Sequence, residues 1–508
     1  MANLKSLAKD TAIYGLSSII GRFLNYLLVP LYTAKMSAAS GGYGVITNVY
    51  AYTALLLVIL TYGMETTFFR YANKEGEDPK TVYSTTLMSV GTTSLLFVLL
   101  VLAFLPGISG WMGYSAHPEY VWTMAVVVAL DAFQCIPFAY LRYQRRPIKF
   151  AALKLLFIFL NIGLNLLYFV ALPALYKSHP EAIGHIYDPT VGVGYAFYIN
   201  LACTGLVTFF FWKELTGIRY KFDWSLLKRM LKYAWPILIL GIAGILNQTF
   251  DKMMFPKIYG DHADTQSQLG IYGAAVKIAM IMALITQAFR YAYEPFVFGK
   301  SKDKDNRETY AQAMRYFIIF TLLAFLAVMA WIDVFKYIIA PDYWSGLKVV
   351  PIVMAAEIMM GIYFNLSFWY KLIDKTIWGA WFSGIGCAVL ILVNVLFVPK
   401  CGYMACAWGG FAGYGTAMVL SYLVGQRYYP IKYPLRDILV YVVVAGVLFA
   451  AMMLPVENMW LALAYRTVLL LLFVGFIYRK EHLAPMLSKL PVIGRLHGQD
   501  CRHNRRGK

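Results

Sequence analysis

Fourteen apolar runs of about 20 residues, each long enough to cross the hydrocarbon core of a bilayer, constrain this chain to a bundle of membrane-spanning helices. They centre near residues 24, 57, 94, 130, 160, 202, 245, 283, 321, 359, 388, 415, 445 and 468. No connection between them is long enough for a soluble domain. With 60% hydrophobic and 14% charged residues in 508, the chain lies outside the range of soluble globular proteins. The expected fold is an all-α polytopic membrane protein of 14 helices. The polar start MANLKSLAKD leads into the first apolar run without a small-residue cleavage site, which reads as a retained helix rather than a removed signal peptide.

The formal charge of +19 admits nucleic acid, anionic lipid or topology signals as explanations, and the positions of the charges decide among them. Most of the 45 Lys and Arg fall in alternate loops, on the side that holds both termini. The other side holds Lys35, Lys177, Lys257, Lys336, Lys348 and Lys400. The positive-inside rule therefore places both termini in the cytoplasm, and no nucleic-acid partner is needed. Anionic lipids of the inner leaflet are the expected partners of the basic loops. The six cysteines show neither CxxC spacing nor a histidine partner, so they read as apolar packers, with no metal site and no disulfide framework.

The chain repeats itself at an offset of 226. This offset aligns Pro30 with Pro256, Gly15 with Gly241 and Gly44 with Gly270, and lays YGLSSIIGRFLNYLLVPLY on LGIAGILNQTFDKMMFPKI. With three residues inserted, GMETTFFRY meets AYEPFVFGK and Glu65 falls on Glu294. Helices 1–6 and 7–12 read as duplicated bundles. Six spans per copy is even, so both copies insert the same way up around a central cavity. The expected organisation is an N-lobe (1–213), a basic amphipathic linker on the inner leaflet (214–232), a C-lobe (233–428), two further helices (429–480) and a basic tail (481–508).

A charge at mid-bilayer costs roughly 2.5–3.5 kcal/mol on insertion scales, so each intramembrane ionisable residue should face protein or water. Arg22 lies about 16 Å into helix 1 at about 1.5 Å per residue. No acid stands three or four residues away, and its counterpart in the second copy is Gln248, so the fold itself does not demand a cation there. Arg22 therefore reads as a cavity-lining functional residue, with Asn25 one turn on and aligned with Asp251. Helix 8 offers Lys277, then Arg290 and Glu294 at i,i+4 spacing, which could equally form a structural pair. Asp251 and Lys277, at similar depth on consecutive helices, could pair as well. Further acids are Glu65, Asp131 and Glu357. Lys154, Arg315, Asp333 and Lys371 stand near helix ends and are expected to snorkel. Arg466 reads as structural or lipid-facing. Gly21, Pro30, Gly241 and Pro256 are candidate hinges, since proline removes a backbone donor and favours a kink; a passive kink or helix end is the alternative.

The stretches GLSSIIGRFLNYLLVPLYT, the YG at Tyr43, GMETTFFRY, NQTFDKMMFPKIYG, LGIYGAAVKIA and AFRYAYEPF together resemble the oligosaccharide flippases of the multidrug/oligosaccharidyl-lipid/polysaccharide (MOP) exporter superfamily. The resemblance implies two six-helix lobes, alternating access, and movement of an undecaprenyl-pyrophosphate-linked oligosaccharide across the bacterial inner membrane for O-antigen or a similar surface polysaccharide. It also implies a pathway polymerase and chain-length machinery as partners. In the related lipid II flippases a cationic cavity binds the pyrophosphate. Arg22 matches a helix-1 cavity arginine of that group in approximate position, and Lys277 and Arg290 both qualify as the helix-8 cation. Other cavity arginines of that group have no match here, which disfavours a peptidoglycan precursor as cargo. No cofactor is expected beyond a coupling H+ or Na+, for which Glu65, Asp131, Asp251, Glu294 and Glu357 are candidate sites, with Asn25 and Gln248 as polar cavity residues. A multidrug and toxin extruder shares the architecture and is the first alternative. A membrane glycosyltransferase or polymerase is the second: KSKDKDNRE carries a DxD at Asp303 and Asp305, but reads as a charged loop.

Overall fold

The computed structural model describes residues 26–299, 306–373 and 375–481, with side chains described outside 290–306. Gly21, Arg22, Asn25 and the DxD loop lie outside the described residues, as do the side chains of Arg290 and Glu294. Every regular element among the described residues is helical. In chain order the principal helices are α1 (Leu28–Lys35), α2 (Gly42–Thr61), α3 (Pro79–Ala103), α4 (Pro118–Tyr143), α5 (Pro147–Leu166), α6 (Gly194–Phe209) and α7 (Trp224–Tyr259). They continue with α8 (Thr265–Gly299), α9 (Asn306–Ala330), α10 (Val350–Leu366), α11 (Ile377–Cys401), α12 (Tyr403–Tyr428), α13 (Leu435–Met452) and α14 (Met459–Lys480).

Among the described residues, 11 helices are long and apolar enough to cross a membrane. The other three expected spans correspond to α1, to the 16-residue α6, and to α12, whose glycines and tyrosines lower its hydropathy. Local chemistry sets the ends. Asp78 caps α3 by accepting from the backbone of Lys80 and Thr81, with Pro79 opening the helix. Asp223 caps α7 and Asn458 caps α14 in the same way. The second span breaks at Tyr62 and Gly63, both at positive φ (31° and 71°), before resuming as Met64–Ala72. A Cβ on Gly63 would also lie 2.9 Å from the Ile237 side chain of α7, so glycine satisfies both the backbone and the packing there.

The last part of the expected linker, from Trp224, and helix 7 form one continuous 36-residue helix, α7, which runs through Pro236 and Pro256. Contacts divide the chain into two compact units. The first comprises Met1–Ile278, Ile338–Val353 and Thr376–Ala417; the second comprises Ala279–Tyr337, Met354–Lys375 and Met418–Lys508. This division passes through α8, α10 and α12 and does not follow the lobe boundaries expected from the repeat.

In the first unit, the Met64–Ala72 helix, α3, α4 and the start of α7 bury Met64, Phe68, Val82, Tyr83, Ile136 and Met230 in one apolar cluster. The outward face of α3 exposes Leu95, Leu96, Leu99 and Leu100, as a lipid-facing helix does. α2 and α8 cross closely. A Cβ on Gly44 would sit 1.9 Å from the Gln266 carbonyl oxygen, and one on Gly270 would sit 3.0 Å from the Gly44 nitrogen. One turn on, a Cβ on Gly273 would meet the Thr47 hydroxyl at 2.5 Å. Gly44 with Gly270, and Thr47 with Gly273, are pairs that the 226 offset aligns, so equivalent positions of the two copies touch each other.

In the second unit, ion pairs fasten α13 and α14 to α9. Arg315 and Tyr441 both bond Glu481, and Lys480 bonds Asp437 at 3.0 Å. At the other end of the bundle Arg466 reaches Asp333 at 2.6 Å, Lys336 reaches Asp333 at 2.8 Å, and the Arg466 Nε donates to the Met452 carbonyl. Arg315 and Asp333 therefore do not snorkel, because a fixed partner of opposite charge is within reach on a neighbouring helix. Arg466 is structural.

Candidate functional site

The sequence LNQTFDKMM places five polar side chains in the middle of α7, and helical spacing sorts them. Asn247 and Asp251, four apart, share one stripe; Gln248 and Lys252 share the adjacent one. Asn247 is buried and donates to the carbonyls of Ala243 (2.9 Å) and Ser383 on α11 (3.1 Å), while its own carbonyl accepts from Tyr414 of α12. Gln248 is exposed.

Asp251 is buried, with 8% of its side chain exposed, and each of its oxygens is engaged. The Tyr272 hydroxyl of α8 donates to one, the Lys252 backbone N–H donates to the other at 2.8 Å, and the Lys252 ammonium reaches both at 3.0 and 3.1 Å. The same ammonium donates to the Gln248 carbonyl and stands 5.3 Å from the centre of the Tyr272 ring. Asp251 thus pairs with its sequence neighbour and not with Lys277, because the flexible four-carbon stem of Lys252 can fold back over the carboxylate.

Lys277 has no counter-charge among the described residues. Among the described residues no acid lies within ion-pair distance of it, and its charged neighbour is Lys252, which repels it. Its backbone carbonyl accepts from the Tyr26 hydroxyl, at the start of the described chain. Of these two neighbouring ammonium groups on α7 and α8, only that of Lys252 has a carboxylate among the described residues.

Pro256 shapes this site. Having no N–H, it leaves the carbonyl of Lys252 without its helical partner, and Asn48 of α2 supplies the missing donor at 2.9 Å. The Asn48 side chain also donates to the Met253 carbonyl at 3.1 Å and is itself fixed by the Tyr114 hydroxyl at 2.8 Å. Gly241 is a packing position: a Cβ there would meet Val58 of α2 at 2.9 Å. Near Pro30, α1 begins directly after a turn at Leu27.

The remaining acids lie elsewhere. Glu65 bonds Arg142 at the end of α4, and the guanidinium also stands 5.0 Å from the Phe69 ring. Asp131 of α4 interacts with Lys154 of α5, whose ammonium sits 4.0 Å over the Phe138 ring. Lys154 is accordingly held by protein groups and does not snorkel. Glu357 lies on α10, partly exposed, in the second unit. Of the residues singled out from sequence, the structure brings together Asp251, Lys277 and the backbone of Gln248. Lys252, Tyr272 and Asn48 were missed. The signal for Lys252 was available as a basic residue beside an acid inside an apolar helix, whereas nothing in the sequence marks Tyr272 or Asn48.

Solved structures of transporters share the fold, three of them as follows. The lipid II flippase MurJ in an inward closed conformation superposes with a TM-score of 0.69 at 16% identity, over 92% of this chain and 99% of that one. An inward-facing multidrug resistance transporter of the MATE family gives 0.61 at 14% identity, over 80% and 95%. The MATE multidrug transporter DinF-BH gives 0.58 at 16% identity, over 83% and 96%. No curated protein sequence matches the chain. Residues 7–289, more than half of the sequence and including Asp251, Lys252, Tyr272 and Lys277, match the family described as polysaccharide biosynthesis protein. The chain therefore belongs to the polysaccharide biosynthesis protein family of the MOP superfamily.

Proposed function

We propose that this protein is a flippase that moves an undecaprenyl-pyrophosphate-linked oligosaccharide from the inner to the outer leaflet of the bacterial inner membrane by alternating access. Membership of the MOP superfamily supports a transporter rather than an enzyme. The observation that supports the cargo class is Lys277 beside Lys252, with no acid among the described residues to neutralise it. An excess of fixed positive charge among membrane-spanning helices is costly when empty and is offset by an anion such as a diphosphate.

In this reading Lys277 holds the diphosphate and Lys252 alternates between it and Asp251. Arg22, four residues before Tyr26, adds a guanidinium whose planar fork grips phosphate oxygens. The prenyl tail stays in lipid. When the carboxylate of Asp251 recaptures Lys252, the clamp weakens and the head group leaves. Asp251 is also the candidate for H+ or Na+ coupling, since a bound cation would compete with Lys252 for it.

The test is flipping of a prenyl-diphosphate oligosaccharide by the purified protein in proteoliposomes. Lys277→Gln and Arg22→Ala should each abolish flipping while leaving the protein folded; full activity in both would refute the assignment. The structural likeness to multidrug transporters and the buried Asp251 favour the second reading, a cation antiporter. Drug efflux that survives Lys277→Gln and is lost in Asp251→Asn would select it.

A further inference from the structure

The connection from α6 to α7 lays a basic, aromatic strip along the start of α3. The backbone of this strip is tied down: the Lys221 N–H donates to the Ser84 hydroxyl at 2.8 Å, the Asp223 N–H donates to the Thr85 hydroxyl at 3.2 Å, and that hydroxyl donates to the Lys221 carbonyl. With the backbone bonded to α3, the side chains of Arg219, Tyr220, Lys221, Phe222 and Trp224 are left exposed. Among the described residues neither Arg219 nor Lys221 forms an ion pair. Interleaved cations and aromatic rings match the interfacial layer of a membrane, and loop charge places this strip on the cytoplasmic side, where lipids are anionic.

Above the strip is a groove of 270 Å³ between α3 and α4, lined by Met88, Gly91, Thr92 and Leu95 of α3, by Phe133 of α4, and closed at its foot by Tyr220. The absence of a side chain at Gly91 opens it, since a Cβ there would stand 3.3 Å from the Phe133 ring. Met88 and Leu95 are exposed, so the groove faces lipid and not the bundle interior. From Leu87 to Leu95 it follows about 12 Å of helix axis at about 1.5 Å per residue. That distance reaches from the interface well into a hydrocarbon core about 30 Å thick.

We propose that this groove and strip form a binding site for one anionic phospholipid of the inner leaflet, with an acyl chain between α3 and α4 and its phosphate on Arg219 and Lys221. Charge complementarity selects an anionic over a zwitterionic lipid. The site stands on α3, α4 and the connection before α7, and shares no residue with the lysine pair of α7 and α8. Because the connection continues directly into α7, the bound lipid would brace the start of that helix.

The test uses the full-length protein reconstituted in phosphatidylcholine with a trace of phosphatidylglycerol bearing a photoactivatable acyl chain, with labelled peptides identified by mass spectrometry. Labelling should concentrate on Met88–Leu95 and Phe133 and exceed that by photoactivatable phosphatidylcholine. Thr92→Trp, which fills the groove from an exposed position, should abolish the concentrated labelling. Arg219→Gln with Lys221→Gln, both exposed and tolerable to the fold, should lower the preference for phosphatidylglycerol about fivefold per charge removed. Equal labelling by the two lipids, or labelling unchanged in both variants, would overturn the proposal. Stronger labelling of the groove by a photoactivatable prenyl diphosphate than by phosphatidylglycerol would also overturn it, and would assign the groove to the cargo tail. Flipping assays play no part in this readout, so the lipid site and the flippase reading fail separately.

Discussion

The side chain of Asn48 on α2 replaces, at 2.9 Å, the hydrogen bond to the Lys252 carbonyl that Pro256 cannot make. The proline that breaks the α7 ladder and the asparagine that repairs it thereby hold α2 and α7 together beside the lysine site. Asn48→Ala leaves the carbonyl unpaired in a buried place, which costs about 1–3 kcal/mol. The cost should be much smaller in a Pro256→Ala background, where the helix supplies its own N–H. Thermal unfolding of the four proteins in detergent reads this coupling as a double-mutant cycle; additive effects would refute it.

Close approach at the α2–α8 crossing makes an asymmetric prediction. Gly44→Ala drives a methyl to 1.9 Å from a backbone oxygen, whereas Gly270→Ala brings one to 3.0 Å from a backbone nitrogen. Backbone on a packed helix cannot rotate away as a side chain can, so the first substitution should reduce folded yield much more than the second. Monodisperse yield by size-exclusion chromatography measures the difference.

For the Glu65–Arg142 pair, removing either charge leaves the other in a partly buried place. Glu65→Gln and Arg142→Gln should each lower the unfolding temperature, and the double substitution should lower it less than the sum of the two, because no lone charge remains. If Glu65 instead serves ion coupling, Glu65→Gln would alter the pH dependence of transport with stability unchanged.

Asp78 caps α3 outside the membrane-spanning segment, and its bond from the Thr81 hydroxyl, with those from the Thr81 and Lys80 backbone, lowers its pKa below the ordinary carboxylate value. A depressed folded pKa means that the contribution is present above the unfolded pKa and is lost as pH falls through the folded one. Asp78→Asn should therefore lose acid sensitivity specifically in that low range. Comparing unfolding temperatures of the two proteins between neutral pH and pH about 3 tests the sign.

At the lysine site, Lys277→Arg keeps the charge and should retain part of the transport activity, while Lys252→Gln frees Asp251 as an unpaired buried acid. The latter should destabilise the protein as well as impair transport, a combination that separates Lys252 from Lys277. Transport in proteoliposomes beside unfolding temperature distinguishes the two outcomes.

The membrane-spanning character, the near-complete set of spans and the self-similarity at 226 residues were readable from the chain. So was the presence of Asp251 and Lys277 as polar interruptions of α7 and α8. Their mutual relationship was not readable. Depth along a helix is a one-dimensional quantity that residue counting supplies, but pairing requires two side chains within 4 Å, which depends on helix rotation and rotamer. Asp251 took Lys252, Glu65 took Arg142, and Arg315 and Arg466 found acids on other helices, each for that reason.

Order along the chain, burial in lipid and the cost of intramembrane charge follow from composition and periodicity, because transfer from water to hydrocarbon acts on each segment alone. Which cation is left without a carboxylate among the described residues follows only from the packed helices. Neutralisation falls off steeply with distance, and helix packing sets those distances through residues as plain as Asn48, Gly44 and Tyr272.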